Sequence, residues 1–261
     1  MTKLKVGDIE LNYNYVGDGS RPVLIFSNSL GTDHRMWDAQ ASEFGGDYDI
    51  LRYDTRGHGQ STAPMAGYSI DTFGRDVLAL MDHLKIKKAS FCGLSMGGMT
   101  GMWLGINAPE RFDKLILSNT SAHMPPVDLW NDRIKTVLDE GMNVITDSVI
   151  KRWFTETFRA TGNLEITRIS IMLMMTPREG YAGCCGAIRD MDQRETIKSI
   201  TLPVMIIAGA DDPATPPAHA EVIHQAIAGS RLEIIANAAH LSNIEQPKAF
   251  NALLRGFLDG K

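Results

Sequence analysis

Short runs of branched apolar residues alternate along the chain with longer stretches whose apolar positions recur at helical spacing. The N-terminal segment alternates apolar and polar residues through Leu4, Val6, Ile9, Leu11, Tyr13 and Tyr15, interrupted at Gly7. That period of two predicts an antiparallel hairpin with one buried face. Six further runs, at 22–26, 48–53, 90–92, 115–117, 204–207 and 232–235, predict strands. Their continuous Val, Ile and Leu content suits a parallel sheet covered on both faces. Helical patterns near 34–44, 70–85, 96–108, 217–228 and 246–259 separate them. The expected fold is therefore α/β, with a mostly parallel eight-stranded sheet and helices on both sides.

The alternation fails once. From 121 to 198 no strand pattern occurs, and 130–141, 146–158, 164–175 and 178–191 read as helices. Thr146-Asp147-Ser148 offers a cap for the second, while Thr176-Pro177 closes the third and lets Pro177 open the fourth. This predicts a core made of 1–120 and 199–261, interrupted by a helical lid at 121–198. Six methionines fall in that lid: Met124, Met142, Met172, Met174, Met175 and Met191. They read as adaptable filler where lid meets body, with an apolar pocket wall as the alternative.

Composition narrows the classes. The chain has 261 residues and a net charge of −5, with no basic run to neutralise phosphates, so nucleic acid is not an expected partner. No apolar stretch approaches the roughly 18 residues of a membrane span. The first residues lack the apolar core of a secretion signal, so a cytoplasmic protein is expected. Three cysteines, Cys92, Cys184 and Cys185, make no disulfide framework, and the adjacent pair is badly spaced for a metal. His219 and His224 are five apart and share no helical face. No metal or cofactor is expected.

The chemistry concentrates at Cys92-Gly93-Leu94-Ser95-Met96-Gly97-Gly98. An apolar run ends there and a helical pattern begins, which is the context that turns Gly-x-Ser-x-Gly into a nucleophile elbow. The two glycines let strand and helix approach, and the strained turn lifts the serine hydroxyl clear of the chain. Met96 opens the helix, so its N–H is free to hold an oxyanion. A serine hydroxyl needs a base, and the base an orienting acid. His240 follows the run 232–235, and Asp212 follows 204–207 in Asp211-Asp212-Pro213-Ala214-Thr215-Pro216. All three lie just past predicted strand ends, where open parallel sheets bind ligands. The form Asp-x-x-Thr-Pro favours Asp212 as the acid, with Asp211 as the alternative. A second oxyanion donor belongs in Phe26-Ser27-Asn28-Ser29-Leu30-Gly31, where register assigns the N–H of Ser29. The side chains of Ser27 and Ser29 read either as substrate contacts or as turn chemistry. In Asp54-Thr55-Arg56-Gly57-His58-Gly59-Gln60-Ser61, His58 reads as structural, with Asp54 and Arg56 as a candidate buried ion pair.

These residues together resemble the α/β-hydrolase superfamily. The resemblance rests on the elbow, the 54–61 stretch, Asp212-x-x-Thr-Pro and His240, and it covers essentially the whole chain. Phe26-Ser27-Asn28-Ser29-Leu30-Gly31-Thr32-Asp33, Met36-Trp37-Asp38 and Arg152-Trp153-Phe154-Thr155 narrow it to the 3-oxoadipate enol-lactonases. What that implies is hydrolysis of an anionic enol-lactone during protocatechuate and catechol degradation, by Ser95, His240 and Asp212 through an acyl-enzyme. It also implies a cation for the substrate carboxylate. Arg133, Lys151 and Arg152 are the candidates, Arg133 first because Trp130 and Ile134 turn its face toward the body, with Trp153 as an apolar wall. A broader carboxylesterase, a carbon–carbon bond hydrolase and a non-catalytic small-ligand receptor of the same fold are the alternatives. Oligomeric state is not legible.

Overall fold

A computed structural model describes residues 2–260. One eight-stranded sheet forms its centre, in the order β1-β2-β4-β3-β5-β6-β7-β8. The hairpin β1 (Thr2–Val6) and β2 (Ile9–Val16) pairs antiparallel, and β2 pairs antiparallel with β4 (Asp49–Tyr53). From there β3 (Val23–Ser27), β5 (Ala89–Leu94), β6 (Phe112–Ser118), β7 (Val204–Gly209) and β8 (Arg231–Ile235) are all joined in parallel. Strands β3, β5 and β7 are buried at every position, as expected of strands covered on both faces.

Helices cover the sheet. α1 (Asp38–Phe44), entered through a 3₁₀ turn at His34–Trp37, packs against α11 (Pro247–Leu258). α2 (Ile70–His83) packs on α3 (Met96–Asn107), and α9 (Pro217–Ala226) lies against β7 and β8. Ser69 caps α2 through the Thr72 N–H. Trp37 is fully buried and stacks on Phe26 at 4.8 Å between ring centroids, which fixes the loop after β3 against the core.

Between β6 and β7 the chain leaves the sheet for five helices: α4 (Val127–Glu140), α5 (Asn143–Trp153), α6 (Glu156–Ala160), α7 (Leu164–Met175) and α8 (Arg178–Asp190). α4 packs on α8 and α5 on α7. The pattern at 146–158 predicts one helix, and the structure has two. Phe154 is extended, and Thr155 starts α6 by accepting the Phe158 N–H. Thr146, expected at a cap, instead lies within α5 and donates to the Met142 carbonyl at 3.0 Å. Met142, Met172 and Met191 are buried, whereas Met174 and Met175 are exposed on the outer face and fill no junction.

Asp54 and Arg56 also correct an expectation. They do not pair with each other. Arg56 makes a two-pronged buried bond to Asp76 at 2.7 and 2.6 Å. Asp54 instead accepts from the His34 N–H at 3.0 Å, its ring at 2.7 Å and Asn12 at 2.7 Å. Asp54 stands just past the end of β4, whereas Arg56 already belongs to the turn that follows, so the two side chains reach different elements. No helix among the described residues is long and apolar enough to cross a membrane.

Candidate active site

The site is built where strands end. Ser95 sits between β5 and α3 with φ +58° and ψ −116°, a conformation that is costly for a residue with a side chain. Glycine on either side makes the turn possible. A Cβ on Gly93 would lie 2.1 Å from the Gly97 carbonyl oxygen, and one on Gly97 2.3 Å from that of Ser27. The Ser95 carbonyl accepts the first intrahelical bond from Met99, so the N–H of Met96 has no partner within its helix. The Gly97 N–H donates to the Asn28 carbonyl at 3.0 Å, tying the start of α3 to the loop after β3.

His240 lies in the loop after β8, and its Nδ1 is 2.8 Å from Asp212 Oδ2. Asp212 is buried and accepts further bonds from Asn119 Nδ2 at 3.0 Å, Thr215 Oγ1 at 2.8 Å and the N–H groups of Ala214 and Thr215 at 2.8 and 3.0 Å. Burial alone would raise its carboxyl. The His240 charge and these donors outweigh burial and hold it at about 2. Asp211, the alternative acid, is exposed and makes no bond to His240. The pair can therefore keep one imidazole tautomer, with Nδ1–H on the carboxylate and Nε2 free to take a proton.

Ser95 and His240 share a cavity of about 350 Å³ with Ser29, Leu30, Arg133 and Trp153. Its floor, at Ser95 and His240, is buried; Pro125 and Leu129 at the start of the insertion are exposed and mark its mouth. The Leu241 N–H donates to the Trp153 carbonyl at 3.1 Å, so the end of α5 is fixed next to His240. Among the described residues the Ser29 N–H has only the Met36 sulfur at 3.3 Å, a weak acceptor.

Not every candidate reaches the cavity. Ser27 does not line it; its hydroxyl is turned into the core and bonds Tyr53 at 2.6 Å. Its backbone packs closely against Gly97. Lys151 does not line it either, whereas Arg152 does. Arg133 lies over the Trp130 ring, 5.7 Å from its centroid. Among the described residues neither Arg133 nor Arg152 pairs with a carboxylate. Burial, and then the charge of Arg133, depress the Arg152 guanidinium, a strain that an anion in the cavity would relieve.

Asn119 was not singled out from the sequence. It stands just past β6 with φ +43°, bonds Asp212 and the Ala239 carbonyl, and accepts from Ser242 at 2.6 Å. Its signal was position: an asparagine, the residue that best tolerates positive φ after glycine, at a strand end beside the cavity. A possible metal cluster, Asp33, His34 and Asp54, has its ligand atoms within 4.8 Å of one another. Asp33 is held by Arg35, and Asp54 by His34, Asn12 and the Gln60 N–H, so the group is a closed network. The three cysteines are buried and apart from the cavity lining.

A serine on a strained strand–helix turn, a carboxylate-held imidazole and helices inserted before β7 define the α/β-hydrolase class. The chain belongs to the alpha/beta hydrolase fold family, whose model matches residues 22–247. It is 44% identical over 248 residues to 3-oxoadipate enol-lactonase 2 of Acinetobacter baylyi, spanning 95% of this chain and 92% of that one. Identity with 3-oxoadipate enol-lactonase 1 of the same organism is 40% over 242 residues, 93% and 90% of the two chains. The crystal structure of the enol-lactonase from Burkholderia xenovorans LB400 superposes with a TM-score of 0.96 at 40% identity, covering 99% of this chain and all of that one, 100%.

Proposed function

We propose that this protein hydrolyses an anionic enol-lactone, 3-oxoadipate enol-lactone, through a serine acyl-enzyme, in the degradation of protocatechuate and catechol. The observation that carries the reading is one cavity with a buried Ser95 and His240 at its floor and two arginines without carboxylate partners in its wall. In a chain of net charge −5, that local positive charge calls for an anionic substrate. Similarity to the two named 3-oxoadipate enol-lactonases supports this lactone in particular.

His240 Nε2 takes the Ser95 proton as Oγ bonds to the lactone carbonyl carbon. The N–H groups of Met96 and Ser29 hold the resulting oxyanion, each worth about 3 kcal/mol. The ring C–O bond then breaks. The departing enolate takes the proton from His240 and becomes the ketone, still tethered to the acyl group. Water loses a proton to His240 and attacks the ester carbonyl; the acyl C–Oγ bond then breaks, and His240 returns that proton to Ser95 Oγ. An enolate leaves more readily than an alkoxide, so the general acid has less to do. Arg133 holds the substrate carboxylate, and Trp153 forms the apolar side of the cavity.

Loss of the enol-lactone ultraviolet absorbance with purified protein tests this. Turnover by the wild type, falling by several orders of magnitude in Ser95→Ala, is expected. Brisk hydrolysis of aryl esters with none of the lactone would replace the lactonase by a broader carboxylesterase. No turnover of either would point to a ligand receptor.

A further inference from the structure

The 54–61 stretch, with its buried histidine, takes no part in the steps above, yet it holds the loop that follows β3. His58 is fully buried, and its Nε2 accepts the Gly31 N–H at 2.7 Å. Its Nδ1 lies 3.3 Å from the Arg56 carbonyl. A backbone N–H can only donate and a carbonyl can only accept. The ring is therefore the Nδ1–H tautomer with a bare Nε2. Burial pushes its pKa down to about 4, which keeps that lone pair available at neutral pH.

Gly31 lies two residues past Ser29, with φ +80°. The Thr32 N–H and hydroxyl both return to the Ser29 carbonyl, at 3.2 and 2.8 Å, so residues 29–32 form one tight turn. The elbow grips this turn at its start, through Gly97 N–H to the Asn28 carbonyl. His58 grips it at Gly31. Between the two anchors lies the Ser29 N–H.

We propose that His58 is a positioning residue of the oxyanion hole: through the Gly31 N–H its imidazole fixes the turn that aims the Ser29 N–H at the acyl carbonyl. The inference rests on the reading of Ser29 as an oxyanion donor. It adds a support that spans from one cavity loop to a motif with no contact to substrate. A support of this kind acts on the transition state, where the oxyanion is formed, more than on the bound substrate.

Two variants separate positioning from packing. In His58→Gln the side-chain oxygen reaches the place of Nε2 and still accepts from Gly31. In His58→Asn the amide reaches only the place of Nδ1, keeps the Arg56 carbonyl and leaves the Gly31 N–H unpaired. The assay uses an aryl ester together with a trifluoromethyl ketone, which forms a tetrahedral adduct on the serine. His58→Asn is expected to lower kcat about tenfold or more and to weaken ketone inhibition by the same factor, with KM within twofold. His58→Gln is expected to retain most of both. Equal losses in the two variants, or a rise in KM matching the loss of ketone affinity, would overturn the proposal. A second measurement needs no variant: nitrogen NMR of the wild type should show His58 protonated at Nδ1, and protonation at Nε2 instead would also overturn it. Wild-type ester turnover and ketone inhibition test the serine-hydrolase reading by themselves, so failure there is distinguishable from failure of the His58 contrast.

Discussion

Arg133 shows how much can rest on one side chain. It stacks on Trp130 and lines the cavity, and no carboxylate among the described residues neutralises it. Removing it therefore breaks no ion pair; the fold loses the contact with the ring, about 0.5–1 kcal/mol, and the hydrogen bond to the buried Tyr181 hydroxyl, about 1 kcal/mol. An anionic substrate loses a contact too. A hydrogen bond to a charged group is worth about 1.5–3 kcal/mol, equivalent to roughly ten- to hundredfold in binding. Arg133→Ala should raise KM for the lactone by about that factor and leave a neutral aryl ester within twofold. Equal effects on both substrates would remove Arg133 from the substrate carboxylate. Ser95, Asp212 and His240 were legible at this scale because each pairs a demanding residue type with a position past a strand end. Ser27 shows the limit. Its place in the 26–31 stretch put it beside the site, but its hydroxyl finds its partner in the core, on Tyr53 of β4, a neighbour distant in sequence.

At the scale of elements, the sheet was legible strand by strand because apolar β-branched runs leave little choice. The break between α5 and α6 was not. Apolar spacing runs on through 146–158, and the signal that overrides it lies far away in sequence. Glu245, in the short helix α10 (Ser242–Glu245), accepts from both the Thr155 N–H at 3.2 Å and the Thr155 hydroxyl. Its other oxygen accepts the Ala239 N–H at 2.9 Å, one residue before His240. The carboxylate is 5% exposed and has no ion-pair partner among the described residues, so its stability depends on these donors. One buried carboxylate thus joins the insertion to the His240 loop. Glu245→Gln turns an acceptor into a donor facing an N–H group, an unsatisfied contact worth about 1–3 kcal/mol. Thr155→Val removes one donor and a helix cap, for about 1 kcal/mol. Urea unfolding of both and of the double variant should show non-additivity of at least about 0.5 kcal/mol. Strict additivity would mean that the two ends of this bridge do not act together.

The whole molecule carries the record of its buried groups in its response to acid. His58 has a folded pKa of about 4 against an ordinary value of 6.5, because burial disfavours its charged form. The unfolded chain therefore binds this proton first. The stability associated with neutral His58 is fully present above pH 6.5 and is lost as pH falls toward 4. Asp212, held at about 2 against 3.8, contributes in a lower window, with stability present above 3.8 and lost as pH falls through 2. The two windows barely overlap, so the fall above pH 4.5 belongs to histidine. His219 is also depressed by burial, but it is only half-buried, with Asp212 pulling the other way. His58 is fully buried, and the charges nearest it, Asp54 and Asp33, offset burial only in part. Between pH 7 and 4.5 its share of the loss comes to about 2 kcal/mol. His58→Gln has no group to titrate there. Its urea midpoint should therefore fall less than the wild type's over the same range. Parallel curves for the two proteins would place the acid sensitivity elsewhere and mean that His58 is already protonated, or never buried, in the folded chain.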